Sequence, residues 1–200
     1  MVRWEPGGKD RLRLAALDLY VRSGFEETTV AEIAAAAGLT ERTFFRHFAD
    51  KREVLFDGQE VLEDQFLTGV ADAPDGLTPL GLAAAALTNS AGFFPEERRA
   101  WSRRRQAVIS ANASLQERES RKMSTLAGSL ASALRDRGVV EPAATLAAQT
   151  AVTVFSVSFA TWVREDETRT FAAIEHDVLD ELTAMTAASV QTPAAGRPAV

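Results

Sequence analysis

The chain has 200 residues, 46% of them apolar and 25% charged, with a formal charge of −6; this is the balance of a globular protein able to bury a core in one or two domains. It has no cysteine and two histidines, which excludes disulfides, thiolate zinc sites, iron–sulfur clusters and a cysteine nucleophile, and leaves no metal-ligand or catalytic set. Met1–Asp10 lacks the apolar run of a secretory signal, and the longest apolar stretch, Ala151–Val163, is about 13 residues where a bilayer needs roughly 20, so a cytoplasmic protein without membrane contact or cofactor is expected.

Taken in order, Lys9–Ser23 places Leu12, Leu14, Ala15, Ala16, Leu19 and Tyr20 at helical spacing, and Gly24 follows as a C-terminal cap. Thr29-Val30-Ala31-Glu32 is a Ser/Thr-x-x-Glu capping box and opens a short second helix that runs to Gly38. Thr40 caps a third helix from Glu41 to about Phe48, and Asp50 caps a fourth beginning at Lys51 and running to about Gly69. Ala73-Pro74-Asp75-Gly76 breaks the chain. Helical stretches follow over Thr78–Ala91, Pro95–Ala111, Ser114–Arg137, Pro142–Glu165 and Thr168–Ala188, and the Pro- and Gly-containing tail over 191–200 reads as disordered. No repeat and no alternating strand pattern stands out. The expected fold is all-α, with about nine helices: an N-terminal three-helix unit over 1–56, a C-terminal helical unit over 57–190, and the tail.

The informative stretch is Thr29–Lys51. Two short helices joined by a tight Gly38 turn need a small residue where they approach, which Ala34 supplies, while Ile33, Leu39 and Phe44 hold the pair together. This is a helix-turn-helix pattern, whose second helix enters the major groove of double-stranded DNA. On that helix Arg42 suits a guanine edge, Thr43 a thymine methyl or a phosphate, and Arg46 and His47 further donation to the DNA. Thr29 and Lys51 sit at expected helix N-termini that favour phosphate, and Thr40 caps the reading helix next to the backbone. Net charge argues less clearly: Met1–Phe56 holds nine Lys/Arg and nine Asp/Glu, and the whole −6 lies beyond it.

Leu12–Phe56, above all the run from Ala15 through TTVAEIAAAAGLTERTFFRHFADK to Phe56, resembles the N-terminal domain of the TetR family of bacterial repressors. That family usually carries Tyr where this chain has Phe45; without the hydroxyl, Phe45 keeps only van der Waals contact with the DNA backbone. His47 and Lys51 match the family pattern. The resemblance implies a homodimer, a ligand-binding C-terminal domain, and release from an operator when a small-molecule effector binds. The C-terminal part is loosely similar to TetR-type regulators that respond to acyl-CoA.

Signals thin out beyond residue 57. Phe66, Phe93, Phe94, Trp101, Phe155, Phe159 and Trp162 either line an apolar effector cavity or form plain core, and Arg105 shares a helix face with Arg98 and Trp101. The run Arg98, Arg99, Arg103, Arg104, Arg105 recognises an anionic group on the effector or is a solvated face paired with Glu96 and Glu97. Phe171, Ile174, Val178, Leu182 and Met185 make an apolar stripe, either core or half of a two-fold four-helix dimer interface. The reading is a DNA-binding transcriptional repressor and not an enzyme. The alternative is a helical scaffold that keeps the fold without binding DNA, for which the neutral N-terminal unit and Phe45 leave room.

Overall fold

The computed structural model describes residues 7–189, with side chains described as far as Met185; the expected tail over 191–200 lies outside these residues. Nine α-helices and no strand occur among them: α1 Gly8–Ser23, α2 Val30–Ala36, α3 Glu41–His47, α4 Gln59–Ala71, α5 Pro79–Ser90, α6 Arg99–Ser110, α7 Ala113–Asp136, α8 Ala143–Trp162 and α9 Phe171–Ser189. The all-α expectation holds.

The fourth helix departs from expectation. Asp50 caps as foreseen, its carboxylate accepting from the Arg52 and Glu53 amides, but it starts only a 3-10 turn, Glu53–Phe56. Asp57 is extended and Gly58 takes φ 84, a left-handed conformation open to glycine, before α4 begins at Gln59. The break has a packing cause. Val54, Leu55 and Phe56 turn into the apolar cluster of α1–α3, while Leu62, Phe66 and Val70 of α4 belong to a second cluster with α5, α7, α8 and α9. One straight helix cannot bury both sets.

The first cluster, built on Leu12, Leu17, Tyr20, Ile33 and Phe44, also takes in Val108, Ile109 and Leu115 from α6 and α7. The chain division proposed at residue 56 is thus crossed by a shared core. In the second cluster α4 lies along α5, and α8 lies between α7 and α9. At 20 residues, α8 is long and apolar enough to cross a bilayer by length and composition; Ser, Thr and Gln interrupt its apolar run without ending the helix. Nine of its residues are buried in this protein core. Two arginines of α6 close its C-terminal end: Arg99 donates to the Trp162, Glu167 and Arg169 carbonyls, and Arg103 to those of Val163 and Arg164. Such carbonyls otherwise lack partners at a helix end.

Glu175 of α9 is 4% exposed and its Oε1 has no hydrogen-bond partner among the described residues. Burial pushes its carboxyl up to about 8, because a charged carboxylate is disfavoured away from water. A folded-state pKa above the unfolded one means the native chain holds the proton more tightly. The associated stability is complete below the ordinary carboxylate range and is lost as pH rises through about 8. Thermal unfolding between about pH 5 and about pH 9 should therefore show a fall in stability, on the order of a few kcal/mol at most, that Glu175→Gln abolishes. A variant with the same slope as the parent would contradict this.

Candidate functional site

The helix-turn-helix is assembled by local hydrogen bonds the sequence announces. Thr29 accepts from the Glu32 amide at 3.2 Å, and Glu32 Oε2 accepts from the Thr29 amide and hydroxyl, each at 2.8 Å. These bonds hold the Glu32 carboxyl below its usual range, the Thr29 amide contributing most. After α2, Gly38 at φ 66 makes the turn, with the Leu39 amide donating to Ala34 O at 2.8 Å. Thr40 then caps α3, accepting from the Thr43 amide at 3.2 Å, with the two hydroxyls 3.1 Å apart.

Helix α3 has two distinct sides. Phe44 is fully buried and packs on Phe48 with ring centroids 5.6 Å apart. Arg42, Phe45 and Arg46 share the opposite, exposed side, Thr43 and His47 are half-buried at its edges, and Phe45 is 55% exposed. Arg42, Thr43, Phe45, Arg46 and Thr40 are thus brought onto one short surface with Thr29 exposed at the start of α2; neither Arg42 nor Arg46 forms an ion pair among the described residues. The surface matches what a helix needs to present to a groove: donors and an apolar ring outside, an aromatic anchor inside.

Lys51 departs from this scheme. Its ammonium donates to the carbonyls of Phe25, Glu26 and Thr28 at 2.8, 2.9 and 2.9 Å and lies 4.6 Å above the Phe25 ring. An ammonium has three N–H groups, so none is left for a phosphate. Nor does Lys51 start a helix; it lies in the turn after α3. Tyr20 donates to the Lys51 carbonyl at 2.6 Å and packs edge-on against Phe25, and burial pushes the Tyr20 phenol up, with Asp50 adding to the effect. Lys51 therefore clamps the α1–α2 loop to the turn behind α3.

A cavity of about 570 Å³ lies among the 55–59 segment, α4, α6, α7 and α8. Of the residues expected there, Phe93, Phe94, Trp101, Arg105, Phe155 and Phe159 line it. Phe66 and Trp162 do not: both are wholly buried in the second cluster, Phe66 edge-on behind Phe155 and Trp162 behind Phe94. Missed by the sequence reading were the polar wall residues, among them Asp57, Gln59, Glu119, Ser120, Ser124 and Ser156, and the apolar Leu55, Phe56 and Met123. Glu119 and Met123 fall on one face of α7 at i, i+4 spacing, a recognisable signal, but nothing in the spacing says what that face meets.

The basic run separates into distinct roles. Arg99 and Arg103 cap α8, Arg104 pairs with Asp18 of α1, and only Arg98 and Arg105 line the cavity. Arg105 donates to Leu55 O at 2.6 Å, pairs with Glu119 at 3.0 Å and stands 5.2 Å over the Phe56 ring. Burial pushes the Arg105 guanidinium down and Glu119 opposes this. Asp57 in the cavity wall pairs with Lys9 at 2.6 Å and Arg13 at 3.5 Å, both from α1.

The apolar stripe of α9 is mostly internal. Phe171 and Ile174 are buried in the second cluster, and Val178 and Leu182 are half-buried against it. Of the stripe, Met185 alone is an exposed large apolar side chain, at 62%. The outward apolar residues nearby belong to α8: Leu146 at 63% and Val157 at 47%.

Residues 12–57 match the family described as bacterial regulatory proteins, tetR family. The HTH-type transcriptional regulator TcmR of Streptomyces glaucescens is 40% identical over 78 residues, 39% of this chain and 34% of that protein, so the match spans about a third of that relative's length. Among solved structures, a transcriptional regulator from Rhodococcus sp. Rha1 superposes with TM-score 0.54 at 21% identity, covering 92% of this chain and 99% of that one. FadR from Bacillus subtilis, in complex with stearoyl-CoA, does so with TM-score 0.57 at 18% identity, covering 86% and 96%. These two share the fold over most of the chain, whereas the family match is confined to residues 12–57. Over residues 12–57, where the helix-turn-helix lies, the chain is similar to the family of bacterial regulatory proteins, tetR family.

Proposed function

We propose that this protein is a sequence-specific DNA-binding transcriptional regulator. It acts as a homodimeric repressor in the cytoplasm and leaves its operator when a small apolar molecule carrying an anionic group enters the cavity. The observation that carries the reading is the outward side of α3, where Arg42, Phe45 and Arg46 stand exposed on a helix anchored by Phe44. An α-helix fits the major groove, and an unpaired Arg can bond bidentately to guanine O6 and N7.

One short reading helix covers only a half-site, so two copies are required for a full operator. The exposed Leu146 and Val157 on α8 support pairing of two chains along that helix, with the outer side of α9 and Met185 beside it. For the effector, the support is an apolar, aromatic cavity of a size usual for small ligands, with arginine in its wall. FadR from Bacillus subtilis, of the same fold, holds stearoyl-CoA. With Lys51 committed to the clamp, phosphate contacts fall to Thr40, Thr43, Arg46, His47 and the amides at the start of α2 behind Thr29.

Fluorescence anisotropy with duplexes from the DNA flanking the protein's own gene tests the proposal. Affinity should fall steeply as salt rises, and random duplex should bind far more weakly. No binding at low salt by a fully helical protein would overturn the reading and leave a scaffold. Arg42→Ala should cost about 1–3 kcal/mol on the operator and little on random DNA; equal losses on both would contradict the base-reading role. Lys51→Met should instead lower stability by about 2 kcal/mol, a melting temperature lower by roughly 5 °C. An unchanged melting temperature with weakened DNA binding would return Lys51 to the phosphates.

A further inference from the structure

Among the five arginines between 98 and 105, Arg98 is set apart by what it lacks. Arg99 and Arg103 hold carbonyls of the α8–α9 region, Arg104 holds Asp18, and Arg105 holds Leu55 O and Glu119. The Arg98 guanidinium stands over the Phe93 ring, 3.8 Å from its centroid, and among the described residues only its Nη1 has a partner, Phe93 O at 3.0 Å. It forms no ion pair among the described residues. A guanidinium has five N–H groups, so four stay open on a partly buried side chain that lines the cavity. Both carboxylates of the cavity wall are engaged elsewhere, Asp57 with Lys9 and Arg13, Glu119 with Arg105. The wall therefore carries one guanidinium whose charge no direct partner neutralises. Burial works against that charge, the nearby Arg13 and Arg105 add to the cost, and Asp57 only partly offsets it. A partly desolvated cation of this kind is stabilised by whatever anion reaches it.

Resting on the reading of this cavity as the effector site, we propose that Arg98 is its anion anchor and that the effector is an organic monoanion. Its carboxylate-like head takes the open fork of Arg98, and its apolar body lies against Phe94, Phe155 and Phe159. Planar two-oxygen groups match the guanidinium fork, and contact with the Phe93 ring and carbonyl holds the guanidinium at the cavity wall. One uncommitted charge balances a monoanion and not a polyphosphate. The anchor also adjoins the break before α4: a Cβ placed on Gly58 would lie 3.5 Å from Arg98 Nη2. An anion bound there sits beside Asp57, which ties this segment to α1 through Lys9 and Arg13.

The test uses the full chain and probe pairs with the same apolar body and either a carboxylate or a neutral hydroxyl head: naphthoate against naphthylmethanol, and decanoate against decanol. Calorimetry gives affinities, and quenching of Trp101, in the cavity wall, reports where the probes bind. In at least one pair the parent protein should bind the acid roughly ten- to hundredfold more tightly than the alcohol. Arg98→Gln should bind both at the alcohol's affinity, and Arg98→Lys, which keeps the charge without the fork, should restore part of the preference. Equal binding of acid and alcohol to the parent, or a preference that persists in Arg98→Gln, would overturn the anchor while leaving the cavity reading intact. Failure of all four probes to bind would overturn the cavity reading and the anchor with it. Should Arg98→Gln fail to fold, Arg98→Lys decides: an undiminished acid preference there would count against the fork.

Discussion

The geometry of α3 depends on one ammonium group. Lys51 draws together three carbonyls of the α1–α2 loop while Tyr20 holds the Lys51 carbonyl from α1. Charge-assisted bonds of this kind are stronger than neutral ones, and here they join three separate pieces of chain: the end of α1, the loop before the capping box, and the turn after α3. With those pieces fixed, Phe44 can be wholly buried under α3 and its opposite side left to solvent. A seven-residue helix would not persist alone in water; the clamp and the aromatic anchor together make α3 a rigid surface.

The second constraint is the short segment between α3 and α4. Leu55 and Phe56 belong to the core of the N-terminal helices and also line the cavity. Arg105 bonds Leu55 O, Arg118 pairs with Glu53, and Arg105, Arg118 and Lys122 stand around the Phe56 ring. Asp57 extends the connection to α1 through Lys9 and Arg13, and Arg104 adds a second tie from α6 through Asp18. The cavity wall is thus packed directly against the helices that position α3. Such contiguous packing is the physical route by which occupancy at one site can bias another.

What could be read from the sequence was what is local. The Thr29 capping box, the Thr40 cap and the Gly38 turn are each written within a few residues, and the structure has all three. The partners of Lys51 lie 23 to 26 residues away and are carbonyls, which every residue possesses and no side-chain pattern marks. The same holds for Arg99, whose carbonyl partners are 63 to 70 residues distant. Periodicity correctly grouped Phe171, Ile174, Val178 and Leu182 on one side of α9 but could not say whether that side meets α8 of the same chain or a second copy; α8 covers it. The break at Asp57-Gly58 was hidden for a related reason: helical spacing continues across it, while the competition of two cores for the flanking residues is visible only in three dimensions.

The central claim is that α3 reads DNA from the major groove, two copies at a time. Guanine N7 methylation protection on the DNA flanking the gene measures this directly, because N7 lies in the major groove. Two protected patches are expected on one face of the duplex, one helical turn of about 10 base pairs or a multiple of it apart, both lost when Arg42 is replaced by Ala. A footprint made without any N7 protection, or a single patch without a symmetric mate, would contradict it.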